Sequence, residues 1–250
     1  MTTPTILITG GTGKFGRCFV EHFCHKGWRV IFTATSSERV KGLEAEMGQG
    51  ASGLVCDHLQ PESGALLVEE LKCRQISVNH LVNNARSLAF LKVGEQGVTG
   101  REDFLSEYLM DVVVPYELSM ALWQAQPQAL ETITNVSSQY GIVAANPRLY
   151  DNYHRQSAIQ YGVAKAGLNH LTKELAVRLA PDGIRVNAVA YGGVEGRVDD
   201  NFKARYGELV PAGRMLNEAE LAGPLDFLVS GQSSAMTGQV IQPDGGWTIW

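Results

Sequence analysis

Seven short apolar runs alternate along this chain with segments long enough for helices, and that alternation narrows the folds open to it more than any other feature. The runs are Ile6-Leu7-Ile8, Arg29 to Thr33, Gly53-Leu54-Val55, His80-Leu81-Val82, Thr132 to Val136, Ile184 to Val189 and Gln239-Val240-Ile241. Between them lie Lys14 to His25, Gly64 to Lys72, Phe104 to Ala125 and Ala158 to Leu179. Strands that alternate with helices return to a parallel sheet wrapped on both faces. With right-handed crossovers the expectation is an α/β fold, a doubly wound Rossmann domain with a parallel sheet of about seven strands. The 250 residues, 44% of them hydrophobic and 19% charged, suit a single domain over 1–250.

The formal net charge is -5, and no basic run offsets it, so neither nucleic acid nor an anionic membrane is an expected partner. Cys18, Cys24, Cys56 and Cys73 have neither Cys-x-x-Cys nor zinc-type spacing, so they read as reduced residues and no metal site is expected. No basic signal precedes the first apolar run, and no run approaches the length of a membrane span. These readings point to a cytoplasmic protein acting on a small molecule.

Directly after the first apolar run comes Thr9-Gly10-Gly11-Thr12-Gly13-Lys14-Phe15-Gly16, followed by an amphipathic helical pattern. Glycines there allow a tight turn and close backbone approach to a pyrophosphate, which rests where helix amides are unpaired and the dipole is positive. A dinucleotide site is expected. The second strand ends without an acid to accept bonds from a ribose 2'-hydroxyl; Ala34 stands there, followed by Thr35 and Ser36. With Lys14 and Arg39 nearby this favours NADP over NAD, although Glu38 keeps NAD open and Thr35 and Ser36 read nearly as well as helix caps.

Further along, Tyr161 and Lys165 stand four residues apart, with Ser137-Ser138 upstream. Residues at i and i+4 of a helix share a face, so a lysine there can favour the phenolate and make a weak acid useful for proton transfer. Taken with the glycine loop, these residues resemble the short-chain dehydrogenase/reductase family over essentially the whole chain. Asp57 matches that family's adenine-contacting acid, and Asn83-Asn84-Ala85 matches its Asn-Asn-Ala-Gly motif. The tail from Gly213-Arg214-Met215 to Asp244-Gly245-Gly246 looks similar too. The resemblance implies hydride transfer between nicotinamide C4 and a carbonyl or carbinol carbon. Tyr161 would exchange the proton, Ser138 would bond the substrate oxygen and Lys165 would bind the ribose. It also implies cofactor contacts at Asn83, Ala85, Gly192 and Val194, and a homodimer or homotetramer paired through the two long helices, with Trp247 and Trp250 in a subunit interface.

The chain departs from the family at several places. Lys14 replaces a loop glycine, Arg86 the last glycine of Asn-Asn-Ala-Gly, Tyr191 a proline, and Gly196 a threonine. Asp111 stands where the family has a helical Asn supporting a relay to the lysine; it can keep the helix kink but adds a charge. Residues 139–160 form a polar insertion expected at the rim of the substrate cleft. Asn146, Arg148, Tyr150, Asp151, Asn152, Tyr153, His154 and Arg155 would suit a hydroxylated or phosphorylated ligand there. A solvated loop or subunit contact explains the same residues. The insertion, Gly192-Gly193 and the aromatic C-terminus resemble members of bacterial surface-sugar and nonulosonic-acid pathways. A 3-oxoacyl thioester reductase and a non-catalytic dinucleotide sensor remain alternatives.

Overall fold

A computed structural model describes residues 3–196 and 198–250. The strands are β1 (Thr5–Ile8), β2 (Arg29–Ala34), β3 (Ala51–Val55), β4 (His80–Asn83), β5 (Thr132–Ser138), β6 (Arg185–Tyr191) and β7 (Val240–Ile241). They form one seven-stranded sheet in the order β3-β2-β1-β4-β5-β6-β7. Every pairing is parallel, with Ile6 opposite Val30 on one side and His80 on the other. The expected Rossmann architecture is therefore the observed one. The chain winds outward through β2 and β3, then crosses over β1 to begin β4. Between β1 and β4 the strand order reverses, and the carboxyl ends of the strands open a crevice there.

The strands are apolar throughout because both faces are covered. Ile6, Ile8, Val30 and Phe32 point to a core shared with α1 (Lys14–His25) and α2 (Ser37–Met47), through Phe19, Phe23 and Leu43. The intervening Leu7 and Ile31 point the other way, against α3 (Ser63–Cys73) through Leu67 and Leu71. Side chains that alternate across a strand thus divide one apolar run between two cores.

The segment 104–125 is not one helix. It runs as α4 (Arg101–Tyr108), a widened π-turn (Leu109–Val113) and α5 (Val114–Ala125). Pro115 has no N–H to give the carbonyl of Asp111, so the regular ladder lapses there and the turn can widen.

The insertion is more ordered than a solvated loop. It contains short turns at Gln139–Gly141 and Pro147–Leu149 and the one-turn α6 (Tyr153–Gln156) before α7 (Ile159–Leu179). Asn146 and Asn152 cap two of these, their side-chain oxygens accepting from the amides of Arg148 and Arg155. The insertion docks on α8 (Asp200–Leu209): Leu149 is fully buried with Tyr206, Val210, Met215 and Trp247. Arg205 clamps it by donating to the Leu149 carbonyl at 2.9 Å and the Asp151 carboxylate at 3.0 Å. Trp247 stacks on Tyr206 with ring centroids 4.5 Å apart. It belongs to its own chain's core, contrary to its expected place in a subunit interface; Trp250 is exposed. The last helix, α9 (Ala222–Val229), returns to the first core through Leu225 and Leu228. No helix among the described residues is long and apolar enough to cross a membrane.

Phe23 lies fully buried where α1 meets the sheet, whereas Leu66 on α3 is exposed. Phe23→Ala is expected to cost about 3–5 kcal/mol of unfolding free energy in a urea titration. Leu66→Ala is expected to stay within about 0.5 kcal/mol of the parent.

Candidate active site

Above the reversal between β1 and β4 lies a cleft of about 810 Å³, the size of an extended small-molecule site. Its first wall is the glycine loop. Gly10 has φ +66°, and a Cβ there would sit 2.8 Å from the Ala85 Cα. A Cβ on Gly16 would collide with the Gly10 carbonyl. These close approaches fold the loop back on itself and deliver the chain into α1, whose N-cap is Gly13. No side chain caps that terminus and no acid stands in its first turn. Its amides thus keep free bonding capacity and positive dipole for an anionic ligand, which fits the pyrophosphate of a dinucleotide.

Thr9 joins this wall to the next strand. Its hydroxyl donates to the Val82 carbonyl and accepts from the amides of Asn84 and Ala85, both at 2.9 Å. Asn84 returns the contact by donating its side-chain amide to the Thr9 carbonyl at 2.8 Å. Below the loop, Gly10 N–H donates to the Thr33 hydroxyl at 3.0 Å, and that hydroxyl also pairs with the His58 ring at 2.9 Å. His58 lines the cleft and its side chain is buried. Burial lowers its pKa to about 4, although the Asp57 charge opposes the shift.

The second wall carries the groups suited to proton transfer. Ser138 ends β5, its hydroxyl accepting from the Tyr140 amide at 3.2 Å. Tyr161 and Lys165 come one turn apart on α7, and both line the cleft. Lys165 is 5% exposed. Its Nζ donates to the Val136 carbonyl at 3.0 Å and stands 3.1 Å from Asp111 Oδ2, which the π-turn brings across from the neighbouring helix. The Tyr161 ring has two cations over it, Arg86 with its guanidinium 4.7 Å from the ring centroid and Lys165 with its ammonium at 5.9 Å.

Most residues singled out from sequence meet here. Gly10, Thr12, Gly13, Lys14, Phe15 and Gly16 line one end, with Ala34, Thr35 and Asp57 beside them. Ala85, Ser138, Tyr161, Lys165, Gly192 and Val194 line the other. Three residues lie outside the lining. Asn83 is buried behind it, donating to Asn135 and Ser119. Ser36 caps α2, accepting from the Arg39 amide at 3.4 Å. Asp111 is buried beneath Lys165. Of the eight insertion residues expected at the rim, only Tyr150 is part of the cleft lining; Asp151 is held by Arg205 of α8, and Asn146 and Asn152 cap turns.

Sequence reasoning missed Thr33 and His58, and of the tyrosine wall it found Tyr150 but not Tyr140 or Tyr206. Tyr140 and Tyr150 share a hydrogen bond between hydroxyls at 3.0 Å, and Tyr206 accepts from Gly193 N–H and donates to Gln139 Oε1, both at 2.8 Å. Lys14 lines the cleft, and its ammonium also pairs with Glu218 at 3.4 Å, next to Gly196. Tyr191 is buried against Phe15 and Phe19 and donates to the Leu221 carbonyl, so it packs where the family has proline. Among the described residues no His, Cys, Asp or Glu group is arranged to hold a metal ion.

This fold and cleft are those of a dinucleotide-dependent oxidoreductase, and comparison with known proteins agrees. A family profile described as enoyl-(acyl carrier protein) reductase matches residues 14–248. The 3-oxoacyl-acyl-carrier-protein reductase FabG of Aquifex aeolicus is 31% identical over 257 residues, covering 96% of this chain and 95% of that protein. The post-translational flagellin modification protein A of Campylobacter coli is 38% identical over 122 residues, 49% of this chain and 48% of that one. Among solved structures, a short chain dehydrogenase from Leptospira borgpetersenii with bound NAD+ superposes with a TM-score of 0.86 at 28% identity, covering 99% of this chain and 94% of that one. The chain belongs to the short-chain dehydrogenase/reductase family and is an NAD(P)-dependent oxidoreductase.

His58 and His80 are both buried, and burial lowers each to about 4 from an ordinary 6.5. For His80 the Arg185 charge adds to the shift. A depressed imidazole pKa means the fold resists charging. The associated stability is complete above the unfolded value and is lost as pH falls from 6.5 toward 4. Each group accounts for up to about 3 kcal/mol of that loss. Urea titrations across this interval are expected to show a shallower pH slope for a His58→Gln, His80→Gln double variant. Equal slopes would contradict the assignment.

Proposed function

We propose that this chain moves hydride between the nicotinamide C4 of NADP and a carbonyl or secondary alcohol on a polar, hydroxylated substrate, with Tyr161 as the proton donor and acceptor. The observation that carries this reading is the Tyr161–Lys165 pair at the cleft, with the lysine held from behind by Asp111 and Val136. When bound, the nicotinamide supplies the hydride. In reduction, Tyr161 gives its hydroxyl proton to the substrate oxygen as that oxygen gains negative charge, and Ser138 donates a second hydrogen bond to it. In oxidation the proton moves the other way. Lys165 presents positive charge beside the phenol and is close enough to the cleft to bind the nicotinamide ribose. The glycine loop and Asn84-Ala85 would hold the diphosphate and ribose, and backbone at Gly192 to Val194 would orient the nicotinamide.

Polar substrates fit the wall opposite, where Tyr140, Tyr150, Tyr206 and Gln139 present hydroxyl and amide groups. The resemblance of the insertion and of Gly192-Gly193 to members of surface-sugar pathways supports a sugar-like compound, and half the chain is similar to a flagellin modification protein of Campylobacter coli. A second reading is a 3-oxoacyl thioester reductase, favoured by the Aquifex relative and by Val198, Phe202 and Met215 on the same side of the cleft. A choice of NADP rests on Ala34 and Thr35 at the end of β2 and on Arg39 in the lining. We further read residues 1–250 as a single domain, cytoplasmic in keeping with its free thiols, working as a homodimer or homotetramer. Leu105, Tyr108, Tyr116 and Val163, exposed on α4, α5 and α7, would supply the apolar contact.

Tyr161→Phe is expected to lower turnover at least about 100-fold while NADPH affinity holds within a few-fold, as read by coenzyme fluorescence. Substantial turnover in that variant would refute the role of Tyr161. Arg39→Ala should weaken NADPH binding about tenfold and leave NADH binding nearly unchanged; equal losses would remove the case for NADP. In a carbonyl panel followed by NADPH oxidation, keto-sugars should be turned over faster than acetoacetyl thioesters, and the reverse order would favour the second reading.

A further inference from the structure

Beneath Lys165 lies a second carboxyl for which the hydride-transfer scheme has no use. Glu107 stands in the last turn of α4, four positions before Asp111, so the two approach one side of the helix as it enters the π-turn. Each residue is 1% exposed. No oxygen of either carboxyl has an aligned hydrogen-bond donor among the described residues. The charged groups acting on Glu107 come from three directions: Asp111 in the π-turn, Arg86 in the loop after β4 and Lys165 on α7.

Two buried carboxylates with so few donors would carry a heavy desolvation cost and repel each other, so only one is expected to be ionised. Asp111 keeps the charge, because its Oδ2 lies 3.1 Å from the Lys165 ammonium. Glu107 has no ion-pair partner at that range among the described residues, and a protonated carboxyl also gains a donor that a carboxylate lacks.

We propose that Glu107 is a positioning residue whose carboxyl keeps its proton in mildly acidic solution and loses it across the neutral range, while Asp111 carries the negative charge that holds Lys165 at the floor of the cleft. When Glu107 ionises, its proton passes to solvent and the acid pair gains one negative charge behind Lys165 and Tyr161. The protonation state stands independently of the reaction; only its effect on turnover rests on the reading of Tyr161 and Lys165 as the reacting pair. Burial first, and then the Asp111 charge, push the Glu107 carboxyl up to about 7, against the opposing charges of Arg86 and Lys165. The added charge therefore arrives across the neutral range.

NMR titration of the full chain with isotope-labelled glutamate carboxyls tests this without substrate or cofactor. One glutamate is expected to titrate near 7, its signal should vanish in Glu107→Gln, and its midpoint should fall in Asp111→Asn, where the repelling charge is gone. The inference is overturned if every glutamate of the unmodified chain titrates in the ordinary range near 4, or if Asp111→Asn leaves the midpoint where it was. The first of these needs no variant to fold. With a carbonyl accepted by the enzyme, the turnover profile of the parent should show a step near pH 7 that Glu107→Gln removes. A rate lowered equally at every pH would mean Glu107 only packs. Loss of turnover in Tyr161→Phe with the glutamate titration intact, or the reverse, separates failure of this inference from failure of the catalytic reading.

Discussion

A buried ammonium has to be answered by its surroundings, and the α7 side of the cleft is arranged around that need. Lys165 is removed from water on α7, and its charge is met by a carbonyl of β5 and a carboxylate of the π-turn. Removing either partner would leave charge uncompensated in a low-dielectric site, which is far more costly than the pair itself is stabilising. Three elements distant in sequence are thereby brought into a fixed relation. Tyr161, one turn before Lys165, inherits its place from them. The widened turn that carries Asp111 is the means by which a residue on one helix reaches a lysine on the next, and Pro115 removes the amide that would have kept that turn regular.

The cofactor half depends on close backbone approach. The loop after β1 can turn only because Gly16 lets the Gly10 carbonyl come near and Gly10 lets Ala85 do so. Thr9 ties this loop to the start of the second half through Asn84 and Ala85, and Thr33 ties it to β2. One hydroxyl on each side therefore sets the geometry of a turn whose glycines supply only permission. The free amides at the start of α1 follow from that geometry, and with them the fit to a diphosphate.

The insertion changes character between sequence and structure. Its many polar residues suggest a cationic, hydrogen-bonding rim, but a polar segment that long must still satisfy its own backbone. It does so with short asparagine-capped turns and with Arg205, and it buries Leu149 beside Tyr206 and Trp247. What reaches the cleft is Tyr150, next to Tyr140 and Tyr206. On this side the cleft is therefore lined by phenols held by a small separate core, rather than by exposed charges.

Local patterns in the sequence were enough for the parallel sheet, the helix after the glycine loop and the residues of the Tyr161–Lys165 pair. Strand-length apolar runs, glycines at a strand end and an i, i+4 spacing each have a meaning that survives whatever else the chain does. Tertiary structure decided everything that depends on which group arrives opposite another. It gave Lys14 to Glu218 and Trp247 to Tyr206, put Asn83 behind the cleft instead of in it, and drew Thr33 and His58 under the loop. It also set Glu107 and Asp111 together beside Lys165 with no donor for the second acid. Burial and long-range pairing are properties of packed surfaces, so a residue's charge state and partner emerge only once the elements that the sequence encodes have met.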